Sequence, residues 1–208
     1  MLARATTCTF AGLRVRPIAT RSFSTADLEA LKRRYDTSQV AQLDDSLTQV
    51  DEDDNVIGPV SKLEGHHKVG GERVSLPHRA FSLLLFNTRN ELLLQQRSEV
   101  KITFPNLWTN TCCSHPRHTP DEIDLKEGFI GPRRAAVRRV AFELGIKDLD
   151  PSQITCGAKI LYYADACETF AEHELDYILF AKVDNVGPFE VNPAEVKASE
   201  WVSRTDLA

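Results

Sequence analysis

Cys113 and His115 stand two residues apart in Trp108-Thr-Asn-Thr-Cys-Cys-Ser-His115-Pro, so on an extended segment a thiol and an imidazole project to one side. That pairing suits acid–base or metal chemistry; a core cysteine beside a surface histidine is the plainer reading. Glu172-His-Glu174 opens a strand-like run, which puts both carboxylates on one face with Cα atoms about 7 Å apart. Like charges so placed need a cation, a shared proton or open solvent. His66, His67 and His78 add imidazoles, and imidazoles mixed with carboxylates favour zinc or manganese over magnesium or calcium. None has a zinc-motif spacing, so folding would have to assemble such a site. Arg133, Arg134, Arg138 and Arg139 flank an apolar helical stripe whose last turn carries Glu143, four residues past Arg139. This is either an exposed salt-bridged face or a helix that combines phosphate-binding arginine with a metal-binding glutamate.

The elements that must carry these groups can be outlined. A helix is expected from Thr25 or Asp27 to about Tyr35, and the acidic stretch 44–55 reads as solvated chain or a hairpin turn. Ala80 to Phe86 and Glu91 to Gln96 are short apolar runs around the turn residues 87–90, which predicts a buried hairpin. Gly131-Pro132 starts a helix whose stripe is Val137, Val140, Ala141 and Leu144 and which Gly145 ends. Lys159 to Ala164, Glu174 to Lys182 and Glu195 to Val202 are strand-like. Several strands around one strong helix make an α+β domain.

Composition narrows the function. The chain has 208 residues, 42% hydrophobic and 26% charged, which excludes disorder throughout, and no apolar run reaches the roughly 20 residues of a membrane span. Arg4, Arg14, Arg16 and Arg21 precede the first acid, Asp27; removing those four from 25 basic residues leaves 21 against 30 acids, a net of −9. So acidic a body is a poor nucleic-acid binder, and an anionic ligand needs a local basic pocket or a metal. Residues 1–25, rich in Arg, Ser, Thr and Ala, read as an organellar transit peptide or a basic tail, with the composition pointing to the mitochondrion ahead of plastid or cytoplasm. Five cysteines without a CxxC spacing read as free thiols in a reducing compartment, one of the Cys112–Cys113 pair being reactive.

Taken in order, His78-Arg-Ala-Phe-Ser, Leu92-Leu-Leu-Gln-Gln-Arg-Ser, Lys101-Ile-Thr-Phe-Pro, Cys112-Cys-Ser-His-Pro, Arg133-Arg-Ala-Ala, Glu143-Leu-Gly-Ile and Glu172-His-Glu-Leu-Asp-Tyr resemble the type I isopentenyl-diphosphate isomerases, from about Leu43 onward. The resemblance implies a Nudix-type mixed β-sheet sandwiched by helices, the isomerase domain at 43–208, which leaves 26–42 as an N-terminal helical extension. It implies that Cys113 and Glu174 do the proton chemistry on opposite faces of the isoprenoid, with Tyr162 beside the carboxylate. A zinc or manganese ion would be held by His78, His115, Glu172, Glu174 and either His66 or His67. Glu143 would hold Mg2+ bridging to the diphosphate, with Lys62, Arg97, Lys101 and Arg139 as its basic contacts. The partner so implied is a small isoprenyl diphosphate, and a monomer is expected. Of the Nudix box, Arg138, Glu143, Gly145 and Ile146 are in place, while Arg139 and Phe142 stand where hydrolases of that fold carry glutamates.

Members of that family continue beyond Trp201-Val-Ser into a helical end with a Trp facing the cationic intermediate, whereas this sequence stops at Ala208. The expectations carried by that difference are a missing C-terminal helical part and impaired turnover. Two other functions follow from the same motifs: a non-catalytic isoprenyl-diphosphate-binding domain and a Nudix diphosphate hydrolase.

Overall fold

The computed structural model describes residues 25–68, 75–184, 186–187 and 189–207. Helices α1 (Thr25–Arg34) and α2 (Thr37–Val40) and a 3-10 turn at Ala41–Asp44 lead in. The expected leader lies outside the described residues apart from Thr25. Leu31 and Leu43 tie these helices down in a buried cluster with Leu63 and Phe170. The acidic stretch 44–55 is a hairpin, not solvated chain: β1 (Ser46–Val50) pairs antiparallel with β2 (Val56–Ser61), and Leu47 and Val50 are buried. Asp51 shapes the turn by accepting from the Asn55 and Asp53 backbone N–H groups.

Helix α3 (Lys62–His66) follows β2 directly. It is only five residues long, and a capping box fixes its start: Ser61 Oγ accepts from Glu64 N–H while the Glu64 carboxylate accepts from Ser61 N–H. One turn therefore separates Lys62 from His66 and sets both on one face.

The remaining elements are β3 (His78–Phe86), β4 (Leu92–Arg97), β5 (Trp108–Thr109), β6 (Cys112–Ser114), α4 (Pro120–Ile123), α5 (Lys126–Leu144), β7 (Ile154–Asp165), β8 (Ala171–Lys182) and β9 (Val196–Val202). The expected hairpin of β3 and β4 is corrected in one respect: the strands pair at Phe86 and Leu92 and then part. Below that point β3 takes β6 on one side and β8, in parallel, on the other, while β4 takes β5 and β9. Residues 109–111 fill the fork. Asn110 Nδ2 donates to Leu83 O at 2.9 Å, Leu85 N–H donates to Thr111 Oγ1, and that hydroxyl donates to Leu93 O at 2.6 Å. Backbone groups that the parting strands leave without ladder partners are satisfied in this way.

The result is the expected α+β architecture, a mixed nine-stranded sheet with helices packed on it. Alternation along β3 sends Phe81, Leu83 and Leu85 into the main core with Ala135, Ala136, Val140 and Leu144 of α5. His78 and Ser82 face the other way. The stripe on α5 is rotated from the expected one, since Ala135, Ala136, Arg139 and Glu143 are buried and Ala141 is only partly so. Residues 127–129 of α5 have left-handed dihedrals, so its right-handed part begins near Gly131, as Gly131-Pro132 predicts. A Cβ on Gly131 would stand 2.3 Å from Glu122 O, so only glycine fits there. Gly145, at φ 71°, ends the helix. Among the described residues no helix is long and apolar enough to cross a membrane.

Candidate active site

The central strand β3 carries the site between its two neighbours. On one side the parallel register sets His78 beside Glu174 and Ala80 beside Asp176; on the other, Ser82 faces Cys113 of β6. Glu172, Glu174 and Asp176 share a face of β8, as period two requires. All three line a cleft of about 350 Å3 together with Cys113, His115 and Tyr162.

His66, His78, His115 and Glu174 converge so that one ligand atom from each lies within 4.8 Å of the others. The Nε2 atoms of His115, His66 and His78 stand 2.9, 3.6 and 3.7 Å from Glu174 Oε1. His66 Nδ1 is 2.9 Å from Lys62 O and His78 Nδ1 2.8 Å from Leu76 O, so each Nδ1 carries the proton and each Nε2 turns a lone pair to the centre. His78 Nε2 is buried with no hydrogen-bond partner, which three imidazoles and a carboxylate around one divalent ion would explain. Burial holds the His66 ring down to about 4 and the His115 ring well below its ordinary value, so both are neutral near pH 7. Burial alone would raise Glu174, but the facing His115, whose Nε2 lies 2.9 Å from Glu174 Oε1, holds it well below the usual carboxylate range.

The two alternatives for the first histidine separate clearly. His66 is in the cluster, whereas the His67 ring stands against Phe170, outside it. Glu172 is also outside the four-residue cluster. It reaches Glu174 through Tyr162, whose hydroxyl lies 2.9 Å from Glu172 Oε2 and 2.6 Å from Glu174 Oε2. A phenol donates to one carboxylate at a time, and burial together with the Glu174 charge pushes Glu172 up to about 7.

The Cys113 thiol donates to Asn110 Oδ1 at 2.7 Å and lies 3.3 Å from Ser82 Oγ. Burial pushes it up to about 12, so it is a protonated thiol at neutral pH. Cys112 points the opposite way, fully buried, and donates to Glu143 at 3.4 Å. The pair thus divides into one thiol for the cleft and one for the core.

Lys62, Arg97, Lys101 and Arg139 line the same cleft. Burial, with Lys101 and Arg139 nearby, pushes the Lys62 ammonium down to about 7. The Arg97 guanidinium is aimed by the Thr103 and Phe104 carbonyls, and Lys101 pairs with Glu195 at 2.6 Å. Glu143, expected to hold Mg2+, is spoken for: Oε1 accepts from the Arg139 guanidinium, and Oε2 from Gln95 Nε2 at 3.0 Å and from Cys112. All four lone-pair positions are in use, so a metal ion at Glu143 would have to displace one of these donors.

Three contributors have roles that the sequence did not assign. Glu195 sits among the cations; Arg138 clamps Glu122 through two bonds and donates to His115 O, bracing that histidine; Asp176 accepts from Ser82. Each depends on partners remote in sequence. Arg138 alone had a signal, as the arginine of the Nudix box.

Residues 76–208 match the Nudix domain family. A Camptotheca acuminata protein named isopentenyl-diphosphate Delta-isomerase I is 44% identical over 185 residues, 88% of this chain and 74% of that one. A Mesocricetus auratus isopentenyl-diphosphate Delta-isomerase 1 is 44% identical, over 83% of this chain and 75% of its own length. The chain spans 62% of an Arabidopsis thaliana relative, 43% identical, whose name adds chloroplastic. Such names point to the plastid and correct the mitochondrial expectation; an acid-poor, Arg- and Ser-rich leader has the same composition for both organelles, so composition could not separate them. A Deinococcus radiodurans crystal structure superposes with a TM-score of 0.53 at 17% identity, over 78% of this chain and 85% of that one, a likeness of fold alone. Fold, family model and relatives agree: the chain belongs to the isopentenyl-diphosphate Delta-isomerases, built on the Nudix domain.

Proposed function

We propose that this chain interconverts isopentenyl diphosphate and dimethylallyl diphosphate. The observation that carries the reading is the placement of a protonated thiol, Cys113, and a buried carboxylate, Glu174, on the two strands that flank β3, at the end of a cleft lined by four cations. Moving the double bond requires a proton delivered to C4 and one removed from C2, so the proton count is unchanged overall. An acid and a base must stand dry and close on two sides of the alkene. Cys113 and Glu174 are that pair, and Tyr162 fixes the Glu174 carboxylate by hydrogen bonding to Oε2.

Lys62, Arg97, Lys101 and Arg139 receive the diphosphate, and binding there holds the alkene between thiol and carboxylate. His66, His78, His115 and Glu174 would hold a zinc or manganese ion, with Glu172 beside them. Such an ion, when bound, supplies positive charge that lowers the proton affinity of the carboxylate. Magnesium is the ion expected with the diphosphate, because it keeps water and phosphate oxygens as ligands; Glu143 offers it at most one more, by exchange with a present donor. One chain supplies every residue named, in keeping with a monomer acting on a small molecule.

Incubation with isopentenyl diphosphate, Mg2+ and either Zn2+ or Mn2+, followed by product analysis, tests this reading. Dimethylallyl diphosphate is expected. Released phosphate would instead indicate a hydrolase, which Arg139 and Phe142 in place of box glutamates argue against. Binding without turnover would indicate a non-catalytic domain.

A further inference from the structure

Glu195 is 2% exposed, yet it lies in the wall of cations that the proposed function assigns to the diphosphate. Its two oxygens are divided between two kinds of partner. Oε2 takes Lys101 Nζ at 2.6 Å and Arg139 Nη2 at 3.3 Å; Oε1 takes Gln39 Nε2 at 3.0 Å and Gln42 Nε2 at 2.5 Å. Gln42 turns its own amide oxygen to Arg139 Nη1 at 3.2 Å. The carboxylate therefore joins the N-terminal helical segment, which precedes the matched Nudix domain, to two of the four diphosphate-facing cations. Lys101 and Arg139 hold Glu195 ionised, down to about 2.

We infer that Glu195 is a built-in counter-ion that sets the affinity of this cleft for a diphosphate. It keeps Lys101 paired while the cleft is empty and shares Arg139 with Glu143, which limits the repulsion between clustered cations. It also subtracts one charge from the field that an incoming anion meets. A fully uncompensated cleft would hold substrate and product alike too firmly, and binding energy common to both does not speed the chemical step. The inference rests on the diphosphate reading of the cleft and adds to it the residue that tunes it.

The experiment is a calorimetric titration of the full chain with inorganic pyrophosphate in the presence of Mg2+, with no isomerisation involved. Glu195→Gln keeps the shape and can turn its amide oxygen to Lys101 and Arg139. It should bind pyrophosphate about ten-fold more tightly, because a unit charge a few ångströms from the anion is gone. Gln42→Lys sets an ammonium against Glu195 Oε1, offsets the same charge from the other side and should tighten binding by a similar factor, whereas a mere disturbance of the cluster should weaken it. Circular dichroism confirms that each is folded, and if Glu195→Gln is not, Gln42→Lys alone decides. Affinity unchanged or lower in a folded variant overturns the counter-ion role and leaves the isomerase reading standing. Absence of pyrophosphate binding in the unaltered chain overturns the diphosphate site and the counter-ion with it.

Discussion

His78 and Glu174 are direct neighbours in the parallel β3–β8 pair, and the imidazole Nε2 lies 3.7 Å from Glu174 Oε1. His78 is fully buried, its Nδ1 committed to Leu76 O. An unpaired Nε2 in such a place costs free energy that a bound ion would return. His78→Gln is expected to weaken Zn2+ or Mn2+ binding at least about ten-fold, as measured by competition with a chromogenic chelator. Unchanged affinity would remove the metal reading of this cluster.

The acidity of the same imidazoles gives that binding a pH signature. Protons compete with the ion for His66 and His115, and burial holds these rings to about 4 and well below ordinary values. The metal affinity should therefore vary little between pH 7 and about 5 and fall as pH drops toward 4. Loss centred near pH 6.5, where ordinary histidines titrate, would mean that the ligands are exposed rings elsewhere.

Lys62 behaves in the reverse sense. Its ammonium is pushed down to about 7 by burial and neighbouring cations, and an anion in the cleft would restore it toward ordinary values. Pyrophosphate binding above pH 7 should thus take up a proton, and affinity should fall as pH rises from about 7. Calorimetry in buffers of different ionisation enthalpy measures that uptake. No proton uptake at pH 8 would show that Lys62 does not meet the anion.

The two adjacent cysteines should separate by kind of damage. Cys113→Ala is expected to abolish isomerisation, falling by at least about a thousand-fold, with little loss of stability. Cys112→Ala removes a fully buried thiol that donates to Glu143 and should cost about 1–2 kcal/mol in denaturant melts while turnover persists. Iodoacetamide should react slowly with Cys113 at pH 8, since burial pushes that thiol up to about 12.

Asp54 offers a control remote from the chemistry. It accepts from Arg79 Nε at 2.7 Å, from Tyr177 and from Lys159 at 3.1 Å, and Arg79 is 1% exposed. Asp54→Ala strands a buried guanidinium and should cost about 3–5 kcal/mol of stability. Metal affinity of the molecules that remain folded should be unchanged.

What could be read ahead of the structure was whatever depended on local period or on a specific motif. Period two put Glu172 and Glu174 on one face, and Gly131-Pro132 and Gly145 bounded the main helix. His66 could not be told from His67, because the choice is made by a five-residue helix whose start depends on the Ser61–Glu64 capping box and not on apolar periodicity. The β3–β4 hairpin was seen but its opening was not, since the competing partners β6 and β8 lie far along the chain. Glu195 looked like the first residue of a strand. Its partners, Gln39, Gln42, Lys101 and Arg139, come from four separate stretches that only folding brings together.

The segment that wedges β3 and β4 apart leads directly into Cys113. Thr111 closes the gap with its hydroxyl and Asn110 with its amide, while the Asn110 carbonyl accepts the thiol proton. The groove in the sheet and the aim of the sulfur are consequently one inheritance. A lineage that ceased to need the reaction could shed Cys113 cheaply, but it would have to keep Asn110 and Thr111 for the sheet to stay open, and would go on carrying the mould of a thiol site after the thiol had gone.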